Sequence, residues 1–179
     1  MRFVLSLATL LLTGTALTLG ANADGPKHDH HASATKASAL DAFKALAGEW
    51  TGKMDHDGEG GDAVVTYKVT SGGSAVVETI GPGTEHEMVT IIHADGDDLV
   101  LTHYCAIGNQ PRMRAPGKLA DNKVAFAFEG ATNLASAKAM HMHDVTFTFV
   151  DQDTIKSEWT SYSEGAPAGK AVFELKRKK

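Results

Sequence analysis

Cysteine is almost missing from this chain: Cys105 is the only one in 179 residues. A lone cysteine excludes an internal disulfide, and its thiol is buried, paired with another chain, or functional. Positive charge is also in short supply. Seventeen Lys and Arg stand against 22 Asp and Glu, for a net charge of −5. Nucleic-acid binding needs clustered cations to displace counterions, so this balance argues against such a partner. There is no Gly-rich phosphate loop and no Gly-x-Ser-x-Gly nucleophile elbow. The turn Asp95-Gly96-Asp97-Asp98 lacks the rest of a calcium-binding loop. Apart from one stretch at the start, no apolar run is long enough to cross a membrane as a helix.

That one stretch reads as a secretory signal peptide over residues 1–23. Arg2 supplies a minimal positive start, and Phe3 to Leu19 is apolar but softened by Thr and Gly. Ala21-Asn22-Ala23 fits the small-x-small rule for cleavage before Asp24. No cysteine follows it, which argues against a lipid anchor. The expected location is periplasmic or secreted, with no integral membrane segment after cleavage. In an oxidising compartment an exposed thiol is a liability, so Cys105 is expected to point inward. Residues 24–37 are polar, lack periodicity and carry His28-Asp29-His30-His31. They read as a disordered linker. An amino-terminal copper site wants histidine at the third mature position, where this chain has Pro26.

Residues 38–179 read as one domain. Ser38 can cap a short helix with Asp41 three residues on, and Leu40, Phe43, Leu46 and Ala47 form its apolar stripe. After Trp50 the hydrophobic period changes from 3.6 to 2. Strand-like segments fall at 50–56, 62–70, 74–80, 86–94, 98–105, 112–119, 123–129, 140–150, 154–162 and 170–176. Most are separated by short Gly-, Asp- and Asn-rich turns, which force antiparallel neighbours. This spells an all-β fold, an antiparallel barrel of about ten strands with a short N-terminal helix. Lys176-Arg177-Lys178-Lys179 reads as a frayed, solubilising tail.

Alternation points Val124, Phe126 and Phe128 to the interior, with Val145, Phe147 and Phe149. Carried backwards, the second parity puts His141 and His143 on the interior face and Met140 and Met142 on the other. Imidazoles at i and i+2 of a strand lie roughly 7 Å apart and can converge on one ion. They are the candidate ligands for zinc, copper or haem; the alternative is a hydrogen-bonded polar cluster. Parity also groups Leu99, Leu101, His103 and Cys105. Asn109, Gln110, Arg112 and Asn133 offer further hydrogen-bonding groups near the same end. Burial of Glu78 and Glu87 is ambiguous by parity.

Leu46-Ala47-Gly48-Glu49-Trp50-Thr51-Gly52 resembles the Gly-x-Trp signature that opens the first strand of calycin-type barrels, lipocalins and nitrobindin-like haem barrels among them. The resemblance implies a short helix before that strand and a Trp that closes the barrel bottom. A second resemblance, to a group of secreted bacterial proteins of unknown function, runs through most of residues 40–162. It is carried by Leu101-Thr102-His103-Tyr104-Cys105, Gly108-Asn109-Gln110-Pro111-Arg112-Met113 and His141-Met142-His143. It implies the fold and the choice of residues, not a reaction. The proximal-histidine motif of the haem barrels cannot be placed on His141 or His143, so haem is not carried over.

Together these features lead to an exported barrel that binds a small, largely apolar ligand below a polar mouth of His103, Cys105, Asn109, Gln110, Arg112 and Asn133. A metal- or haem-dependent protein using His141 and His143 is the alternative. A non-catalytic envelope module with a solid core is the third reading.

Overall fold

The computed structural model describes residues 38–179; the signal-peptide and linker readings fall outside the described residues. Helix α1 (Ala39–Ala45) starts as its sequence asks. Ser38 is extended, and its Oγ accepts from the Asp41 N–H while donating to Asp41 Oδ2 at 2.8 Å. This reciprocal cap satisfies a backbone donor that would otherwise have no partner. Ala39, Leu40 and Phe43 form the buried face.

Ten strands follow: β1 (Gly48–His56), β2 (Glu59–Thr70), β3 (Ala75–Ile80), β4 (Met88–Asp95), β5 (Asp98–Tyr104), β6 (Gln110–Pro116), β7 (Lys123–Thr132), β8 (His141–Asp151), β9 (Thr154–Ser163) and β10 (Ala166–Arg177). Each pairs antiparallel with its chain neighbours, and β1 also pairs with β10. The barrel is closed, so no free edge is left to recruit another strand along most of the wall.

The up-and-down path gives the barrel two unlike ends. Helix α1 lies at one, where the Ala39 N–H donates to Gly117 O at 3.0 Å. The other, the open end, gathers the connections 57–58, 81–87, 105–109, 133–140 and 164–165. At the helix end Phe43 packs edge-on against Phe147 and Phe149, with ring centres at 5.0 and 5.1 Å. Trp50 is fully buried and donates from Nε1 to Leu46 O at 2.7 Å.

The two glycines around Trp50 have separate steric reasons. Gly48 has φ +131°, which side chains rarely adopt, and a Cβ on Gly52 would collide with the Glu174 carbonyl of β10. The C-terminal residues are not the frayed tail their charge suggested. Strand β10 runs through Arg177, whose guanidinium lies 4.4 Å over the Trp50 ring and donates to Ala45 O and Ala47 O.

The wall is discontinuous in one place. Strands β7 and β8 pair only from Lys123↔Thr148 to Phe126↔Val145. Beyond that pair β7 follows β6 and β8 follows β9, and both have register shifts there, between Arg112/Met113 and between Met142/Asp144. A seam therefore opens between the two strands toward the open end.

Candidate functional site

The interior is mostly apolar; besides the buried Ser157 and Ser161 of β9, its polar side chains form one line across four strands. Tyr67, Glu78, Thr90 and His103 are successive cross-strand partners on β2, β3, β4 and β5. All four are buried, Glu78 to 1% and His103 to 2% exposure. The Tyr67 hydroxyl donates to Glu78 Oε1 at 2.7 Å, and Thr90 Oγ1 and His103 Nδ1 are 3.0 Å apart. The line starts at Tyr67, which meets Trp50 edge-on at the barrel bottom, and climbs to His103 near the open end of β5. The His103 ring then faces Trp159 of β9, with centres 4.8 Å apart.

Burial sets the protonation of this line. It pushes the Glu78 carboxyl above its ordinary pKa, with the Tyr67 and Thr90 hydroxyls pulling part of the way back. It pushes the His103 imidazole down to about 4. The Tyr67 phenol is held well above its ordinary value by burial and by the neighbouring Glu78. Near neutral pH His103 is therefore uncharged. Two atoms here lack partners: Glu78 Oε2 and the Trp159 indole Nε1. A buried polar atom left unsatisfied costs about 1–3 kcal/mol.

His103 belongs to this interior line. His141 and His143 do not, because the bulge on β8 resets the parity. Val145 pairs with Trp159, Met142 with Ser161 and His141 with Tyr162. Met142, which alternation had placed on the opposite face, packs against the core. The two histidines instead sit at the seam. His143 stacks on Tyr162 at 3.8 Å and on Phe128 at 4.7 Å, and His141 lies 4.6 Å from Phe128.

Cys105 is half-buried at the end of β5, and its N–H donates to Asn109 O at 3.1 Å. Asn109 is buried; its Nδ2 donates to Met140 O at 2.8 Å while its Oδ1 has no partner. Asn133, at φ +56°, donates from Nδ2 to Gly108 O. Gln110 accepts from the Thr132 hydroxyl at 2.8 Å. Asn109 and Asn133 tie the 105–109 and 133–140 connections together at the open end, and Gln110 joins the ends of β6 and β7 beside them. Arg112 stands on the outer wall, where its guanidinium forms an ion pair with Glu129, Nε to Oε2 at 2.9 Å. It borders a groove of about 750 Å³ with Thr102, Tyr104 and Glu129. A smaller cleft of about 240 Å³ lies at the open end, bordered by Met54, Ile80, Met88 and Phe173.

Among the described residues, no three His, Cys, Asp or Glu side chains gather as a metal cluster. The histidine pair is packed into a stack with Phe128 and Tyr162.

No protein-family profile matches the sequence, and no curated protein matches it. Similarity appears at the level of solved structures. Rv2717c from M. tuberculosis superposes with a TM-score of 0.58 at 13% identity, over 81% of this chain and all of that one. A protein of unknown function from the DUF3598 family of Nostoc punctiforme PCC 73102 superposes with a TM-score of 0.45 at 12% identity, over 76% of this chain and 48% of that one. The first likeness supports the barrel fold and says nothing of activity.

Proposed function

We propose that this chain is a binding protein for a small, uncharged, largely apolar molecule, held in the open-end half of the barrel. The observation that carries the reading is the pair of buried, unpartnered atoms, Glu78 Oε2 and Trp159 Nε1. The indole N–H can only donate, so the ligand must bring an acceptor such as a carbonyl or ether oxygen. The carboxyl of Glu78, whose pKa burial raises, can donate as well wherever it carries its proton. No Lys or Arg is among the buried described residues, so nothing inside would neutralise an anion. The inward-facing Met54 and Met88 at the open end are adaptable lips for an apolar body. Small-molecule sites commonly bury an apolar ligand and fix it with a few polar groups. Export, read from residues 1–23, would make the molecule one met outside the cytoplasm.

Native mass spectrometry of the chain purified from its own host tests this. The expected result is a non-covalent adduct lost on denaturation, and a roughly tenfold weaker rebinding of that adduct by Trp159→Phe, the worth of about one hydrogen bond. A chain free of adduct, with only ordered water against Glu78 and Trp159 in a high-resolution crystal structure, would sink the proposal.

A further inference from the structure

The seam between β7 and β8 has a chemistry distinct from the interior line. In both histidines the Nδ1 position is committed. His141 Nδ1 is 2.8 Å from Ala139 O, and His143 Nδ1 is 2.9 Å from Asp144 Oδ2. A backbone carbonyl and a carboxylate can only accept, so each Nδ1 carries its proton and donates it. In the neutral ring each Nε2 is then left with a free lone pair. This is the tautomer a metal-binding histidine needs, and an Nδ1–H held by a carbonyl or carboxylate is the usual outer support of such a ligand.

Two of the acceptors at this seam are buried without partners. His141 is 5% exposed and its Nε2 meets no donor. Asn109 is also 5% exposed, and its Oδ1 meets none either. The two belong together, because the Asn109 amide nitrogen donates to Met140 O, the carbonyl directly before His141. That bond fixes which way the amide points and leaves its oxygen as the unsatisfied end. A site walled by lone pairs wants a donor or a cation.

The ring spacing favours a cation. The His141 and His143 ring centres are 5.5 Å apart, with planes at 42°. Two imidazoles that share one ion through Nε2, at metal–nitrogen bonds of about 2.0–2.1 Å, have centres roughly 5–6 Å apart. Phe128 packs against both rings and Tyr162 stacks on His143, which locks the pair in place. Asp144 supplies negative charge one bond away from the site.

We infer that His141 and His143, through Nε2, with Asn109 Oδ1 beside them, form a site for one divalent transition-metal ion of the zinc or copper kind. Two imidazoles and one amide oxygen leave positions open, so the ion is exchangeable and the site is not a closed structural centre, which takes four protein ligands. The bulge on β8 makes it, by turning the histidines out of the interior face and into the seam. It is separate from the proposed ligand site at Glu78 and Trp159, and neither depends on the other.

The histidines at 28, 30 and 31 are competing ligands, so the test starts from full-length chain with all three changed to Ala. Stripped protein is titrated with Zn(II) and with Cu(II) by calorimetry, alongside imidazole nitrogen NMR. The expected result is one ion per chain, with the Nε2 resonances of His141 and His143 moving and those of His103 unmoved. His141→Ala and His143→Ala should each weaken binding at least tenfold. Asp144→Asn, which keeps the shape and removes the charge, should weaken it about tenfold. An ion held only when His28, His30 and His31 are present would overturn the inference. So would an ion that leaves both Nε2 resonances in place, a readout that needs no variant to fold.

Discussion

A carboxyl group with 1% exposure, one hydroxyl donating to it and no buried cation among the described residues keeps its proton to higher pH than an exposed one. The native state then holds a proton on Glu78 above pH 4.5 that the unfolded chain has lost, so stability falls as pH rises through the raised value. His103 acts the opposite way. Its folded pKa is about 4 against 6.5 when free, so between those values the unfolded chain binds a proton the native state refuses. Stability falls there as pH drops, by up to about 3 kcal/mol. Glu78→Gln should remove the loss on the alkaline side while leaving the acid side in place. Urea unfolding from pH 4 to 9 checks it: relative to the parent, the Gln variant should gain steadily with pH. A stability difference that does not change with pH would show that Glu78 is already ionised. The sequence pointed to His103 but left Glu78 ambiguous, since its strand alternates poorly. The hairpin turns held more than parity did. A turn centred on Ser71–Ser74 sets Tyr67 opposite Glu78, and one centred on Asp95–Asp98 sets Thr90 opposite His103.

Strands and the helix were legible because period and turn chemistry agree along most of the chain. What could not be read was the irregularity. A bulge is one residue out of phase, and nothing in His141-Met142-His143-Asp144 announces it. Parity carried backwards from Phe147 crosses the bulge unaware, so it misses that Met142 packs against the core and that both histidines stack with Phe128 and Tyr162 at the seam. The seventh strand-like segment ends at residue 129 in the sequence pattern, yet β7 continues to Thr132 because β6 pairs with it. The connection at 133–140 then depends on side-chain ties rather than on a tight turn. Asn133 supplies one, through a left-handed backbone that Asn tolerates and a bond to Gly108 O. Asn133→Ala loses the bond and strains the backbone, at a cost of about 1–2 kcal/mol; Asn133→Gly loses only the bond. Thermal unfolding should therefore rank Asn above Gly above Ala. Equal melting for all three would show that this residue does not hold the connection.

At the scale of the whole molecule, closure depends on the last strand meeting the first, and Arg177 fastens that joint from three directions. It covers the buried Trp50 ring at 4.4 Å, and it donates to Ala47 O at 2.9 Å and Ala45 O at 2.8 Å, carbonyls at the C-terminal end of α1. One side chain thereby links helix, first strand and last strand. A cation over a Trp face contributes about 0.5–2 kcal/mol, and a positive group at a helix C-terminus adds typically 0.3–1 kcal/mol. With its side chain 24% exposed, Arg177 should be worth about 2 kcal/mol in total. For a domain of this size that is roughly 4–8 °C in melting temperature. Arg177→Ala should show this loss together with a change in Trp50 fluorescence. Arg177→Lys should recover only part of it, because an ammonium cannot reach both carbonyls while lying flat on the ring. If Lys restored the full melting temperature, charge alone would explain the joint. The planar guanidinium would then have no special part in closing the barrel.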